Sequence, residues 1–152
     1  VSEEPDDLEM LFRFRNRKTE GLGQPLPAGK AILYQDSDWG RQLVGETTLR
    51  DKTVDEEVEL AFGKPTGVTL DSTSRREGKS PWSTVTVTLR NANPFAVQAE
   101  LEFPTGGYYT YAGLPARLVL RPGRKTATFA LAAGAEVKVS YRVAESDDLK
   151  PQ

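Results

Sequence analysis

A glycine-flanked group of tyrosines is the part of this chain whose residue types and spacing are best suited to binding. The segment reads GGYYTYAG over residues 106–113. Aromatic rings on loops present a large rigid area with a polar group, so they can stack on sugars or anchor a protein partner. Two tryptophans that lie beside predicted turns could extend such a platform. The candidate contact residues are Tyr108, Tyr109, Tyr111, Trp39 and Trp82.

The same tyrosines have a second interpretation, as residues of a strand. In a strand, Tyr109 and Tyr111 share one face and would point into the core, while Tyr108 would cover a sheet edge. A tryptophan next to a turn is commonly a lid on the core. We favour this core interpretation and keep the binding platform as the alternative.

Acidic residues occur in two groups that a glycosidase or a calcium site could use. The first group, Asp36 and Asp38, lies in the segment DSDWG, and the second is DEE at 55–57. The first group begins like a calcium loop, but Gly40 comes one position early and Thr47 stands where a bidentate Glu is needed. We therefore interpret it as a solvated hairpin turn, and the second group as the exposed start of a strand.

Basic residues alternate along the first predicted strand. Arg13, Arg15 and Arg17 share one face, and Lys18 follows them. Such a stripe could dock an acidic partner or a phosphate-bearing polymer. We favour the interpretation that it is the solvated face of an edge strand, where charges discourage aggregation between sheets.

The residue types that are absent restrict the possible chemistry. The 152 residues include no His and no Cys, which excludes imidazole acid–base catalysis, thiol catalysis, disulfides and cysteine metal sites. No nucleophile elbow, P-loop or dinucleotide fingerprint occurs. The net charge of −2 disfavours nucleic acid as a partner, and no apolar run is long enough to predict membrane insertion. We expect no enzyme, no cofactor and no metal.

Alternation of apolar and polar residues predicts how these side chains are positioned. The clearest run extends from Phe95 to Phe103, and a period of two requires strands rather than helices. Short strands joined by Gly, Pro and Asn turns are typical of an antiparallel β-sandwich. We predict an all-β fold, immunoglobulin-like in character, with very little helix. The residues predicted to face inward are Met10, Phe12, Phe14; Val58, Leu60, Phe62; Val85, Val87, Leu89; Phe95, Val97, Ala99, Leu101, Phe103; Ala127, Phe129, Leu131; and Val137, Val139, Tyr141, Val143.

The chain length favours one compact domain, with two small domains as the alternative. We predict a flexible N-terminal segment at 1–7, a single β-sandwich domain at 8–145 and a polar tail at 146–152. Within the domain, turn residues predict one β-hairpin over 84–103 and a second over 125–143. Because the first residue is not Met and no leader pattern follows it, we expect a fragment of a longer protein.

The string FRFRNRKTEGLGQPLPAGKAILY, from Phe12 to Tyr34, resembles the start of an uncharacterised bacterial family, the domain of unknown function numbered 4139. The resemblance continues weakly to Tyr141, and Thr53-Val54 departs from the Thr-Pro that is usual there. It implies the C-terminal β-rich part of an exported or envelope-associated protein, some of which are likened to a mucoidy inhibitor, with no assigned catalytic residues. The matching residues are Asn16, Leu22, Gly23, Pro25, Leu26, Pro27, Ala28, Gly29 and Tyr34.

Three hypotheses for the function follow. The first is a non-catalytic β-sandwich module of a bacterial envelope or secreted protein, which mediates protein–protein contact or acts as a structural spacer. The second is a carbohydrate-binding module that uses the loop aromatics to hold a polysaccharide. The third is a carboxylate-based hydrolase. The resemblance implies a periplasmic or cell-envelope location, and the oligomeric state is left open.

Overall fold

The computed structural model describes residues 7–149, which form β-strands and two short 3-10 helices at Lys18–Glu20 and Ser146–Leu149. All strand pairs within this range are antiparallel, which confirms the all-β prediction. The strands are β1 (Leu11–Arg15), β2 (Gly29–Ser37), β3 (Gly40–Leu49), β4 (Glu57–Ala61), β5 (Val68–Arg76), β6 (Ser83–Asn91), β7 (Val97–Pro104), β8 (Tyr109–Ala112), β9 (Val119–Arg121), β10 (Arg124–Leu131) and β11 (Glu136–Glu145).

The chain divides into two compact units. The N-terminal unit is Leu8–Thr66, and the C-terminal unit comprises the described residues from Gly67 onward together with Asp7. The single domain expected at 8–145 stays a prediction beside this division. Of the expected flexible segment at 1–7, only Asp7 lies within the described residues. The expected polar tail begins with the 3-10 helix Ser146–Leu149, and its last three residues lie outside the described range.

The C-terminal unit is a sandwich of two antiparallel sheets with the strand orders β5-β6-β11-β8 and β7-β10-β9. Residues at alternate positions face inward because side chains alternate along a strand. The buried apolar rows come from both sheets, and edge-on aromatic contacts join them: the Phe103 ring lies 5.1 Å from the Tyr141 ring. The buried apolar residues of this unit are Val85, Val87, Leu89, Leu101, Phe103, Ala127, Leu131, Val139, Tyr141, Val143 and Ala144.

The strand order differs from that of an immunoglobulin constant domain. Numbering the seven strands of this unit from one to seven gives the sheets 1-2-7-4 and 3-6-5. The immunoglobulin sheets are ABED and CFG, or 1-2-5-4 and 3-6-7. The division into four and three strands is the same, but the fifth and seventh strands have exchanged places. The immunoglobulin-like part of the fold prediction is therefore not confirmed.

Both hairpins predicted in the C-terminal unit are wrong. The 84–103 segment contains β6 and β7, which lie in different sheets, and so do β10 and β11 of the 125–143 segment. The physical reason lies in the connection after β6. The amide of Asn91 donates to the carbonyl oxygens of Phe95 and Leu131, at 2.8 and 3.2 Å. These bonds direct the chain from one sheet to the other, whereas alternation specifies only which face is buried.

The N-terminal unit contains two two-stranded ladders, β1-β4 and β2-β3. Its core is small: Val58, Leu60 and Phe62 are buried. Half-buried apolar side chains complete this cluster, namely Met10, Phe14, Leu26, Ala31, Leu33 and Leu49. The apolar core of this unit is therefore formed by few fully buried side chains.

Two aromatic residues predicted to face inward are exposed instead. The Phe12 side chain is 49% exposed because the apolar cluster of the N-terminal unit takes in Met10 and Phe14 but not Phe12. Phe95 is 55% exposed because it lies in the crossover between the two sheets, before the ladder of β7 begins at Val97. A prediction that extends the alternating pattern beyond a strand into an irregular segment therefore overestimates the burial of the side chains there.

Candidate functional site

The hairpin of β2 and β3 ends in the two-residue turn Asp38-Trp39, as the sequence predicts for this segment. The Ser37 hydroxyl donates to the carbonyl oxygen of Gly40 at 2.9 Å and accepts from the backbone N–H of Trp39 at 3.3 Å. Asp36 forms an ion pair with Arg41 at 3.2 Å. The turn holds Trp39 almost completely in solvent, with 92% of the residue exposed.

A strip of apolar side chains continues from this turn along the outer face of the hairpin. The inner face presents Ala31 and Leu33 to the core of the N-terminal unit. A register shift between Leu33 and Tyr34 places Tyr34 opposite Leu43. On the outer face, Ile32 is 43% exposed, Tyr34 is 51% exposed and Leu43 is 59% exposed. We call Ile32, Tyr34, Trp39 and Leu43 the hairpin strip.

Two ion pairs lie beside the hairpin strip. Lys30 binds Glu46 at 3.0 Å across the two strands. Arg41, already paired with Asp36, places its guanidinium carbon 6.0 Å from the centre of the Tyr34 ring. The strip is thus an apolar surface bordered by two ion pairs.

Residues of the basic stripe on the first strand form ion pairs with carboxylates of the same unit. Arg13 lies opposite Glu59 in the β1-β4 ladder, and their side chains meet at 2.8 Å. Arg13 also lies 3.6 Å from Glu57, and Arg17 lies 3.6 Å from Asp55. Arg13 and Arg17 of the basic stripe are thus paired with carboxylates, and β1 lies at the edge of a two-stranded sheet.

Glu56, of the second acidic group, also has internal partners. Lys52 donates to its carboxylate at 2.9 Å, and so does the backbone N–H of Thr53. These hydrogen bonds, that of Lys52 first, hold the pKa of Glu56 below its ordinary value. Among residues 7–149, no group of three acidic side chains is placed to hold a metal ion. Four of the five candidate carboxylates, those of Asp36, Asp55, Glu56 and Glu57, thus form ion pairs.

The three tyrosines of the C-terminal unit have different environments. Tyr111 belongs to the core: its ring lies 5.5 Å from Phe103 and 6.2 Å from Tyr141. This position matches the core interpretation of the sequence. Tyr109 is half-buried and lines a small polar cavity of about 30 Å³ beside Glu145. Tyr108 is 82% exposed, and its carbonyl oxygen accepts from the N–H of Ser146 at 2.9 Å.

Trp82 is half-buried directly before β6, and the guanidinium carbon of Arg142 lies over its ring, 4.8 Å from the ring centre. Arg142 also binds Glu77 through two nitrogens, each at 2.7 Å. The Thr84 hydroxyl donates to the same carboxylate at 2.8 Å. These bonds, that of Arg142 first, lower the pKa of Glu77 and tie the β5–β6 turn to β11.

The structure divides the five candidate contact residues between the two units. Trp39 belongs to the N-terminal unit, and the other four belong to the C-terminal unit. Within the C-terminal unit, Trp82 precedes β6 and Tyr109 lies on β8, on the two sides of β11. Tyr34 and Leu43 could not be found as contact candidates from sequence, because their pairing depends on a register shift. Arg142 was not among the candidates either, although the outward row of β11 was predictable from its inward row.

The chain matches no protein-family model, and the searches found no similar curated protein and no similar solved structure. The resemblance given above therefore stays a prediction. None of the helices formed by residues 7–149 is long and apolar enough to cross a membrane.

Proposed function

We propose that this chain is a non-catalytic β-sandwich module of a bacterial envelope or secreted protein, and that it binds a protein partner through the hairpin strip. The observation that carries the proposal is the exposure of the strip. Trp39, Tyr34 and Leu43 are each more than half exposed on a ladder whose other face packs on the core.

The chemistry of the strip suits a protein interface. Tryptophan and tyrosine are enriched among the residues that contribute most to binding, and they work best where water is excluded around them. The neighbouring ion pairs Lys30–Glu46 and Arg41–Asp36 can form the polar rim of such a contact. A plain spacer has no use for a tryptophan that is 92% exposed.

Two further points support the rest of the proposal. The sequence has no His and no Cys, and the paired carboxylates form internal ion pairs, so the chain has few groups for catalysis. The resemblance to the domain numbered 4139 supports an envelope or secreted setting. Polysaccharide binding by Tyr108 remains the alternative, since that side chain is 82% exposed.

Site-specific photo-crosslinking tests the proposal. A benzophenone amino acid replaces Trp39 in one variant and Leu120 in a control, since Leu120 is 74% exposed in the C-terminal unit. In the cells that make the protein, we expect one protein adduct of defined size from position 39 and none from position 120. The adduct should disappear when Tyr34→Ser and Leu43→Ser are added.

The double variant must keep its β-sheet circular dichroism, so that loss of the adduct reports on binding rather than on folding. Equal adducts from positions 39 and 120, no adduct from either, or an adduct that survives the two substitutions would each refute binding through the strip.

A further inference from the structure

A shallow groove that is open to solvent lies on the outer face of the four-stranded sheet, where β5 ends and β6 begins. Its volume is about 540 Å³. The side chains on this face alternate with buried residues of β6, such as Val85 and Val87. The residues that line the groove are Thr73, Arg75, Arg76, Glu77, Gly78, Thr84 and Thr86.

Strand register fixes the hydroxyls and the guanidinium of the groove relative to one another. Thr73 lies opposite Thr86, and Arg75 lies opposite Thr84, in the β5-β6 ladder. Directly opposite residues have Cβ atoms about 4.5–5.5 Å apart. The groove therefore presents a compact set of hydroxyls next to one guanidinium, on a backbone that paired strands hold rigid.

The electrostatics of the groove favour an anion. Its one carboxylate, Glu77, is bound by both Arg142 and Thr84. Among residues 7–149, no carboxylate pairs with Arg75, and Arg76 donates only to the carbonyl oxygen of Ser80 at 3.3 Å. The groove thus carries positive charge in excess, next to hydroxyl oxygens that keep lone pairs for accepting hydrogen bonds.

We propose that this groove binds a uronic acid unit of an acidic saccharide. The guanidinium of Arg75 is suited to a planar carboxylate, because it can donate two parallel hydrogen bonds. The Thr84 hydroxyl donates to Glu77, and the Thr86 hydroxyl is hydrogen-bonded to Ser140, so their remaining lone pairs can accept from the hydroxyls of the sugar ring, as can the Thr73 hydroxyl. A small inorganic anion would use the guanidinium but would supply few donors for these oxygens. This site is independent of the hairpin strip, which lies in the other unit.

Titration with trigalacturonic acid, followed by amide NMR of the full chain, tests the site. We expect saturable shifts at the amides of Thr73, Arg75, Thr84 and Thr86. Arg75→Gln should weaken binding by at least about tenfold, since a charged hydrogen-bond partner is lost. Arg117→Gln is the matched control because Arg117 is exposed in the loop between β8 and β9, and binding should not change.

Three further arms separate the sources of affinity. The trimethyl ester of the same saccharide should bind at least about tenfold more weakly, because it has no carboxylate. Thr86→Val should weaken the saccharide and leave inorganic phosphate unaffected. Phosphate at equal concentration should not displace the saccharide.

Several results would overturn the proposal. No saturable shift with the trisaccharide, equal affinity for its ester, or unchanged affinity in Arg75→Gln would each exclude the site. Displacement by equimolar phosphate would reduce it to a general anion contact. The amide spectrum of each variant shows whether the fold is retained, and Thr86→Val provides a second test if Arg75→Gln fails to fold.

Discussion

The two units are built from the same kind of strand, yet they bury very different amounts of apolar surface. Among the described residues, eleven of the fourteen buried apolar side chains belong to the C-terminal unit and three to the N-terminal unit. In the C-terminal unit, two sheets cover each other, so alternate residues on both become core. In the N-terminal unit, two-stranded ladders leave apolar side chains such as Tyr34 and Leu43 outside. Six of the eleven exposed large apolar side chains among the described residues belong to the N-terminal unit, although it is the shorter of the two.

Despite this difference, both units fix their irregular segments with one fully buried asparagine. Asn16 donates to the carbonyl oxygens of Gln24 and Thr53, both at 2.8 Å, and accepts from the N–H of Gly23 at 3.0 Å. In the C-terminal unit, the Asn91 amide donates to the carbonyl oxygens of Phe95, Leu131 and Ala132, next to the crossover between the sheets. Buried amides can satisfy backbone groups that no ladder reaches.

The largest predicted effect contrasts two phenylalanines. Phe103→Ala should lower the free energy of unfolding by about 3–5 kcal/mol, because Phe103 is 1% exposed and packs against Tyr111 and Tyr141. Phe12→Ala should cost less than about 1 kcal/mol, since nearly half of Phe12 is already in solvent. Urea denaturation of both variants measures the difference. Similar losses would show that the burial contrast between the units does not govern stability.

The second prediction tests the shared role of the asparagines. Asn16→Ala and Asn91→Ala should each destabilise the chain by about 2–4 kcal/mol, because each leaves several buried backbone groups without partners. Amide hydrogen exchange should rise first at Gly23 for Asn16→Ala, and at Asn93 for Asn91→Ala, whose N–H groups bind the two side-chain oxygens. A variant that unfolds at the wild-type urea concentration would refute the pinning role of that asparagine.

The buried faces of β6 and β11 could be predicted from sequence, since Val85, Val87, Val139 and Tyr141 follow a strict period of two. The strands that pair with β6 and β11 could not be predicted, because alternation specifies which face of a strand is buried and not which strand lies beside it. The bonds of Asn91 that guide the chain across join residues as much as 41 positions apart.

The candidate sites show the same contrast between local features, which could be predicted, and pairings between distant residues, which could not. The turn that exposes Trp39 was predictable from DSDWG. The pairing of Tyr34 with Leu43 depends on a register shift that no residue type announces. The Arg142–Glu77 pair joins residues 65 positions apart, so it requires the finished sheet.

The third prediction uses the two tryptophans as reporters, one in each unit. In the variant Trp82→Phe, emission comes from Trp39, and acrylamide should quench it strongly because 92% of the residue is exposed. In Trp39→Phe, emission comes from the half-buried Trp82, which Arg142 covers, and quenching should be clearly weaker. Trp39→Phe should change the free energy of unfolding by less than about 0.5 kcal/mol. Equal quenching constants would contradict the exposure of the hairpin turn.

The smallest predicted effect concerns pH and one glutamate in each unit. The hydrogen bonds to Glu56, from Lys52 first, and to Glu77, from Arg142 first, lower both pKa values. A carboxyl with a lowered folded-state pKa contributes stability above its unfolded pKa, about 4.3, and loses it as the pH falls through the folded value. At pH 7, Glu56→Gln and Glu77→Gln should therefore both be less stable than the wild type.

Below about pH 4, the difference between each of these variants and the wild type should shrink, because the wild-type carboxyl then also becomes neutral. The exposed Glu9→Gln serves as a charge-matched control and should follow the wild type at every pH. Urea denaturation from pH 7 to pH 3 measures all four proteins. A Glu77→Gln gap that stays constant with pH would mean that Arg142 holds the β5–β6 turn through packing on Trp82, rather than through its ion pair.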